Sequence, residues 1–83
     1  MYRIKQISTG KYLTHPEIVK YTWHDKPVIS ETPKGKIWKT RQPAIVAFKI
    51  TIKSAIKHKL DPADFVLEKS EMVVTETINH NNI

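Results

Sequence analysis

The chain has 83 residues, of which 40% are apolar and 27% charged, a composition typical of one small globular domain with a single core. It lacks cysteine, which excludes disulfides, thiolate-bound zinc and a cysteine nucleophile. No apolar run reaches the length of a signal peptide or a membrane span, so we predict a cytoplasmic protein without membrane contact.

The net charge of +6 is unevenly distributed along the chain. Residues 1–60 contain thirteen Lys and Arg and three acidic residues, a net charge of +10, whereas residues 61–83 contain one Lys and five acidic residues, a net charge of −4. If the acidic segment folds against the basic one, the two fields cancel locally. If they lie on opposite faces, a positive face is left that attracts phosphates or an acidic partner.

The N-terminal residues predict a β-hairpin. Residues 2–7 alternate as in a half-buried strand, with Tyr2 and Ile4 directed toward the core. A turn at residues 8–11 follows, in which Gly10 can adopt the positive φ of a short hairpin, and the return strand begins at Tyr12.

Residues 14–33 show the weakest pattern, with three prolines and a possible short strand at residues 19–23. We predict a long connection there with some extended structure. A second turn at residues 33–36 leads into a short strand at residues 37–40.

Residues 44–60 fit two periodicities. The even-numbered apolar residues from Val46 to Leu60 form a strand-like stripe, whereas Ile45, Phe48 and Ile52 follow the spacing of a helix face. Length favours the helix, because this stretch has no Gly, Pro, Asn or Asp and is long for a strand. Pro43 is also acceptable in the first turn of a helix. The segment therefore predicts a helix over about residues 43–58.

The remaining residues predict a closing β-structure. Residues 60–64 are typical of a helix exit or of one short helical turn capped by Asp61. The β-forming runs 65–67 and 72–75 flank residues 68–71, as in a bulged strand or a loose hairpin. The predicted fold is α+β, with a single domain over residues 1–78, a frayed tail over residues 79–83, and a small antiparallel sheet of three to four strands packed against one helix.

This arrangement resembles a loose group of small, uncharacterised bacteriophage proteins. These open with Tyr-x-Ile-Lys, continue through Thr-Gly-Lys-Tyr, and carry a Gly-Lys-Ile/Val-aromatic strand before a helix and a closing strand. The matching stretches are YRIKQISTGKY (2–12), KGKIWKT (34–40) and DFVLEKSEMVV (64–74). The resemblance implies a phage origin and an α+β fold, and it transfers no catalytic or binding residue.

The sequence carries no recognisable catalytic or phosphate-loop motif. Residues 9–11 and 33–36 lack the second glycine and the Lys-Ser/Thr pair of a phosphate loop, so they predict hairpin turns. Among His15, His24, His58 and His80 no two have helical metal-ligand spacing, although a site assembled from distant residues stays open. We predict no enzymatic activity, no metal and no cofactor.

A basic and aromatic cluster is the strongest functional signal. Lysines and an arginine surround a tryptophan over residues 34–41, and three further lysines recur at i, i+4 and i+8 on the predicted helix. Such a surface can neutralise phosphates while an aromatic ring stacks on a base, but it is equally compatible with a solvated helix face and a core tryptophan. The candidate binding residues are Lys34, Lys36, Trp38, Lys39, Arg41, Lys49, Lys53 and Lys57.

Two hypotheses of function follow. In the first, the chain is a non-enzymatic phage accessory protein that binds a host protein in the host cytoplasm, either in host takeover or against host defence. In the second, it binds nucleic acid through the basic and aromatic surface. Self-association through strand edges is a third option.

Overall fold

The computed structural model describes residues 1–23, 25–70 and 74–83. Two single-turn 3₁₀ helices span Pro62–Asp64 and His80–Asn82. The other elements, in chain order, are β1 (Tyr2–Gln6), β2 (Tyr12–Leu13), β3 (Glu31–Thr32), α1 (Arg41–Lys57), β4 (Phe65–Ser70) and β5 (Val74–Ile78). The fold is therefore α+β, as the sequence predicts.

The five strands that the described residues form make one antiparallel sheet in the order β3-β2-β1-β4-β5. The prediction of three to four strands was too low because β3 has only two residues, too few to show an alternating pattern in the sequence. The bulged strand or loose hairpin predicted after residue 64 corresponds to β4 and its antiparallel partner β5, whose register shifts between Lys69 and Ser70. Of the predicted run 72–75, residues 72 and 73 lie outside the described residues.

Helix α1 confirms the helical interpretation of the central segment. It begins two residues before Pro43 and ends at Lys57. Phe48 and Ala55 are fully buried against the sheet, whereas Val46 and Ile50 of the strand-like stripe are exposed. In the helix, Ile45, Phe48 and Ile52 at the 3–4 spacing are buried or half-buried, whereas the strand-like stripe is divided between buried and exposed positions.

The core lies between α1 and one face of the sheet. Ile4 of β1 is paired with Leu67 of β4, and both side chains are completely buried. The remaining large, fully buried side chains come from the helix, the connection and the strand ends, and they are Phe48, Phe65, Leu13, Ile18 and Thr51.

Residues 14–23 and 25–30 form an irregular continuation of the β2–β3 hairpin along one flank of α1. Thr14 N–H donates to Ser30 O at 2.8 Å, and Val19 pairs with Val28 further out. The strand predicted at residues 19–23 is thus reduced to one bridge at Val19, because the chain turns immediately after it.

Two helix hydroxyls hold this hairpin in place. Thr51 Oγ1 donates to Pro16 O at 2.6 Å, and Ser54 Oγ accepts from Ile18 N–H at 3.1 Å. Both hydroxyls lie on the buried side of α1, where an unpaired polar group is costly. They therefore fix the position of the hairpin relative to the helix.

Candidate nucleic-acid interface

Trp38 has a structural role in the first predicted cluster. Its backbone exchanges hydrogen bonds with Tyr2, at 2.7 Å and 2.9 Å, and its half-buried ring packs against the core. The ammonium group of Lys36 lies 5.4 Å from the ring centroid, within the range of a cation–π contact. The strand predicted at residues 37–40 is reduced to the single backbone bridge between Tyr2 and Trp38. Because the Trp38 ring is half-buried and contacts Lys36, it offers little surface on which a base could stack.

Arg41 is also engaged within the fold. It lies at the N-terminus of α1, and its Nη1 atom is 3.1 Å from Oε1 of Glu76 on β5. The hydrogen bond with Glu76 raises the pKa of the Arg41 guanidinium. In the part of the chain that the structure describes, this is the one side-chain ion pair shorter than 4.0 Å. The acidic terminal segment thus neutralises one of the predicted binding residues, while Lys34, Lys36 and Lys39 are exposed.

The three predicted helix lysines share the outward face of α1. Lys49, Lys53 and Lys57 are all exposed, and successive lysines are separated by about 6 Å along the axis. Exposed Val46 and Ile50 line a depression together with Lys49 and Lys53. This face is consequently a mixed one, in which cationic side chains project from an aliphatic base.

The helix ends in a Schellman motif that contains a lysine where glycine is usual. Leu60 N–H donates to Ala55 O at 2.8 Å, and Lys59 N–H donates to Ile56 O at 3.1 Å. Lys59 has a φ of 60°, a left-handed conformation that costs a non-glycine residue about 1–2 kcal/mol. The exposed side chain of Lys59 thereby lies beside Lys57 in the last turn of α1.

A shallow depression of about 280 Å³ lies between the C-terminal end of α1 and the hairpin that precedes β3. Lys20 and Asp25 line it from the hairpin, and Lys57 and Lys59 line it from the helix end. Lys20 and Lys59 were not among the predicted site residues, and nothing local in the sequence shows that Lys20 approaches Lys57. We call Lys20, Lys49, Lys53, Lys57 and Lys59 the lysine surface.

Acidic residues accompany the lysine surface without pairing with it. Glu17 lines a second depression with Lys53 and Lys57, and Asp25 lines the one just described. Within the described residues, neither carboxylate approaches a lysine ammonium group to within 4.0 Å. The five lysines outnumber these two acids, so the surface keeps a positive field.

The tip of the hairpin carries two aromatic rings, and we call its described residues, 20–23 and 25–27, the aromatic loop. Tyr21 and Trp23 stack with ring centroids 4.8 Å apart and planes 15° from parallel. Trp23 is nevertheless 76% exposed, the highest value among the large apolar side chains that the structure describes. An aromatic-x-aromatic pattern between Lys20 and Lys26 was the available signal in the sequence, but it also fits the alternation of a strand.

The histidines do not form a metal centre in the part of the chain that is described. No three His, Asp or Glu side chains there lie close enough together to hold a metal ion. His24, one of the four histidines considered from the sequence, lies outside the described residues. In the described ranges, no helix has both the length and the hydropathy needed to cross a membrane.

Comparisons with known proteins found no relative of this chain. The resemblance to small phage proteins therefore stays a prediction from the sequence. No protein-family model, curated protein or solved structure matches this chain.

Proposed function

We propose that this protein binds nucleic acid through the lysine surface, as a binding protein without catalytic activity. The observation that carries the proposal is the convergence of Lys20 and Lys59 on the row of helix lysines, with no carboxylate within ion-pair distance among the described residues. Unpaired lysines release counterions when they contact phosphates, and this release drives association. A row of about 12 Å along α1 matches an extended charged ligand better than a point-like one.

The expected affinity depends strongly on salt. With five phosphate contacts on a single strand, log K falls with log [salt] with a slope of about −3.5, so affinity drops about 100-fold between 50 and 200 mM salt. Fluorescence anisotropy with labelled single- and double-stranded DNA and RNA measures this slope directly.

A pair of matched charge variants separates the lysine surface from net charge. Replacing Lys49, Lys53 and Lys57 with Gln removes three charges from α1 and should weaken binding and flatten the salt slope. Replacing Lys34, Lys36 and Lys39 with Gln removes the same charge from the other cluster and should have a smaller effect. If the two triple variants weaken binding equally, only net charge matters. If the wild-type protein shows no salt-dependent binding, the proposal is wrong.

Binding of a host protein by a phage protein, in the host cytoplasm, is the second candidate. Two observations favour it. Strand β5 is an edge of the sheet, and an edge strand can accept another strand by β-augmentation. In addition, Val46, Ile50 and Ile56 are exposed among the lysines, as at a surface that contacts an acidic and apolar partner.

A pull-down from bacterial lysate with and without nuclease distinguishes the two candidates. One stoichiometric protein that survives nuclease treatment supports host-protein binding, whereas loss of every partner on nuclease treatment supports nucleic-acid binding. The mass of the purified protein in solution tests the third option, self-association through the β5 edge.

A further inference from the structure

We infer that the ligand of the lysine surface is single-stranded nucleic acid, and that one unpaired base stacks on Trp23 of the aromatic loop. The inference rests on the proposed function and specifies the class of nucleic acid. The stacking part of the inference rests on Tyr21 and Trp23, which do not belong to the lysine surface.

The aromatic loop presents an accessible stacking surface. Trp23 is 76% exposed and Tyr21 is 43% exposed, although the two rings already stack on one another. Large apolar side chains with this exposure are unfavourable in water, and stacked aromatic rings form a rigid flat surface of the size of a base. Every base has a π-face, so such a surface binds bases with little regard to sequence.

The loop is adjacent to the phosphate-binding residues. Lys20 directly precedes Tyr21 in the chain, and it lines the same depression as Lys57 and Lys59. A strand whose base stacks on the loop therefore has its neighbouring phosphates within reach of the lysine surface. In a duplex the faces of the bases are covered by their neighbours in the stack, so only a single strand can use both features at once.

The loop is also held in a defined position. The Val19–Val28 bridge closes its base, and the contacts of Pro16 and Ile18 with Thr51 and Ser54 attach the hairpin to α1. The base of the loop is consequently fixed relative to the helix lysines before a ligand arrives, which reduces the entropy cost of binding.

The first test uses Trp23 as its own reporter. The chain has two tryptophans, so Trp38→Phe leaves Trp23 as the single tryptophan fluorophore. We expect its emission to be quenched on titration with oligothymidylate or oligouridylate, and to change little with a duplex of the same length. The DNA and RNA oligomers distinguish the two chemical sources of a single strand. Unchanged Trp23 emission at saturating single strand overturns the inference.

The second test measures affinity in the complete chain. We expect Trp23→Ala to weaken single-strand binding about 10-fold, within the range that one stacked base supplies, and to leave the salt slope unchanged. Trp23→Phe should recover part of the loss, and Trp38→Phe should bind like the wild type. The first test depends on Trp38→Phe, whereas the second compares Trp23→Ala and Trp23→Phe with the wild type, so poor folding of the variant in one test leaves the other informative.

The outcomes distinguish failure of this inference from failure of the proposed function. Equal or tighter binding of duplex, or wild-type affinity in Trp23→Ala, overturns the single-strand inference, while the charge variants continue to test the lysine surface. Absence of binding to every oligomer at low salt overturns both.

Discussion

The phenol of Tyr12 on β2 donates a 2.6 Å hydrogen bond to Oε1 of Glu68 on β4, across the intervening strand β1. The guanidinium carbon of Arg3 lies 4.1 Å from the centroid of the Tyr12 ring, so that an arginine covers the tyrosine. Glu68 is 8% exposed. These three residues connect the first hairpin to the closing strands on the sheet face opposite α1.

Removal of the Tyr12 hydroxyl should destabilise the fold because it leaves a buried carboxylate oxygen without its donor. We expect Tyr12→Phe to lower the free energy of unfolding by about 1–3 kcal/mol. Glu68→Gln keeps an acceptor for the phenol and should cost less. Urea denaturation of both variants measures the difference, and a larger loss in Glu68→Gln would contradict this account of the pair.

Asp64 should make stability sensitive to acid. Burial by itself raises the pKa of the Asp64 carboxyl, but hydrogen bonds from Ser8 and Gln6, at 2.7 Å and 3.0 Å, outweigh burial and hold the pKa below its ordinary value of 3.8. The folded state thus favours the carboxylate. Its contribution to stability reaches its full value only well above the ordinary pKa of 3.8, and it is lost as the pH falls through that value and then through the lower folded-state pKa.

The Asp64→Asn variant tests this sign. It loses about 1 kcal/mol at neutral pH, because the amide accepts fewer hydrogen bonds than the carboxylate. The wild type and the variant should therefore converge in stability as the pH falls below about 4. Thermal denaturation at several pH values between 2 and 7 provides the measurement. A constant difference across this range would show that the charge of Asp64 has no role.

Gly35 and Gly10 form a matched pair of glycines with positive φ, at +66° and +70°. A Cβ atom at Gly35 would lie 2.4 Å from Cβ of Tyr12 and 2.9 Å from Leu13 O, whereas one at Gly10 would have no neighbour within 4 Å. Gly10→Ala should cost about 1 kcal/mol for conformation alone. Gly35→Ala adds a clash with backbone and should cost considerably more. Similar melting temperatures for the two variants would contradict the close packing of Gly35 on β2.

Lys59→Gly should change stability and binding in opposite directions. Glycine relieves the left-handed conformation of the Schellman motif, so we expect a gain of about 1 kcal/mol, equivalent to about 4–8 °C in melting temperature. The loss of one lysine should weaken nucleic-acid binding and reduce the magnitude of the salt slope by about 0.7. Lys59→Ala is the control, since it removes the charge without relieving the backbone.

Thr51→Val should loosen the hairpin that carries the aromatic loop. Valine has nearly the same shape but cannot donate to Pro16 O, so we expect a loss of about 1–2 kcal/mol. Hydrogen exchange at the Val28 amide, which donates to Val19 O, should become faster. Thr51→Ser retains the hydroxyl and serves as the control. Unchanged exchange in Thr51→Val would show that the hairpin is held by other contacts.

The sequence alone predicted the features that depend on local pattern. The length of the segment 44–60 without Gly, Pro, Asn or Asp decided between two periodicities and predicted α1, which the structure confirms. Gly10 predicted a turn, and Asp61 offered a capped helical turn as one of two alternatives; the structure has both. It also predicted the outward row of Lys49, Lys53 and Lys57, because residues four apart on a helix lie on one face whatever the rest of the chain does.

Only the tertiary structure decided which charges and rings are available at the surface. Trp38 and Trp23 both follow a lysine closely in an extended-looking stretch, yet the first pairs with Tyr2 and packs on the core while the second lies at an exposed loop tip. Arg41 meets Glu76 from 35 residues away, and Lys20 approaches Lys57. Periodicity describes the direction of a side chain within its own element, whereas its neighbours come from long-range packing that no local pattern encodes.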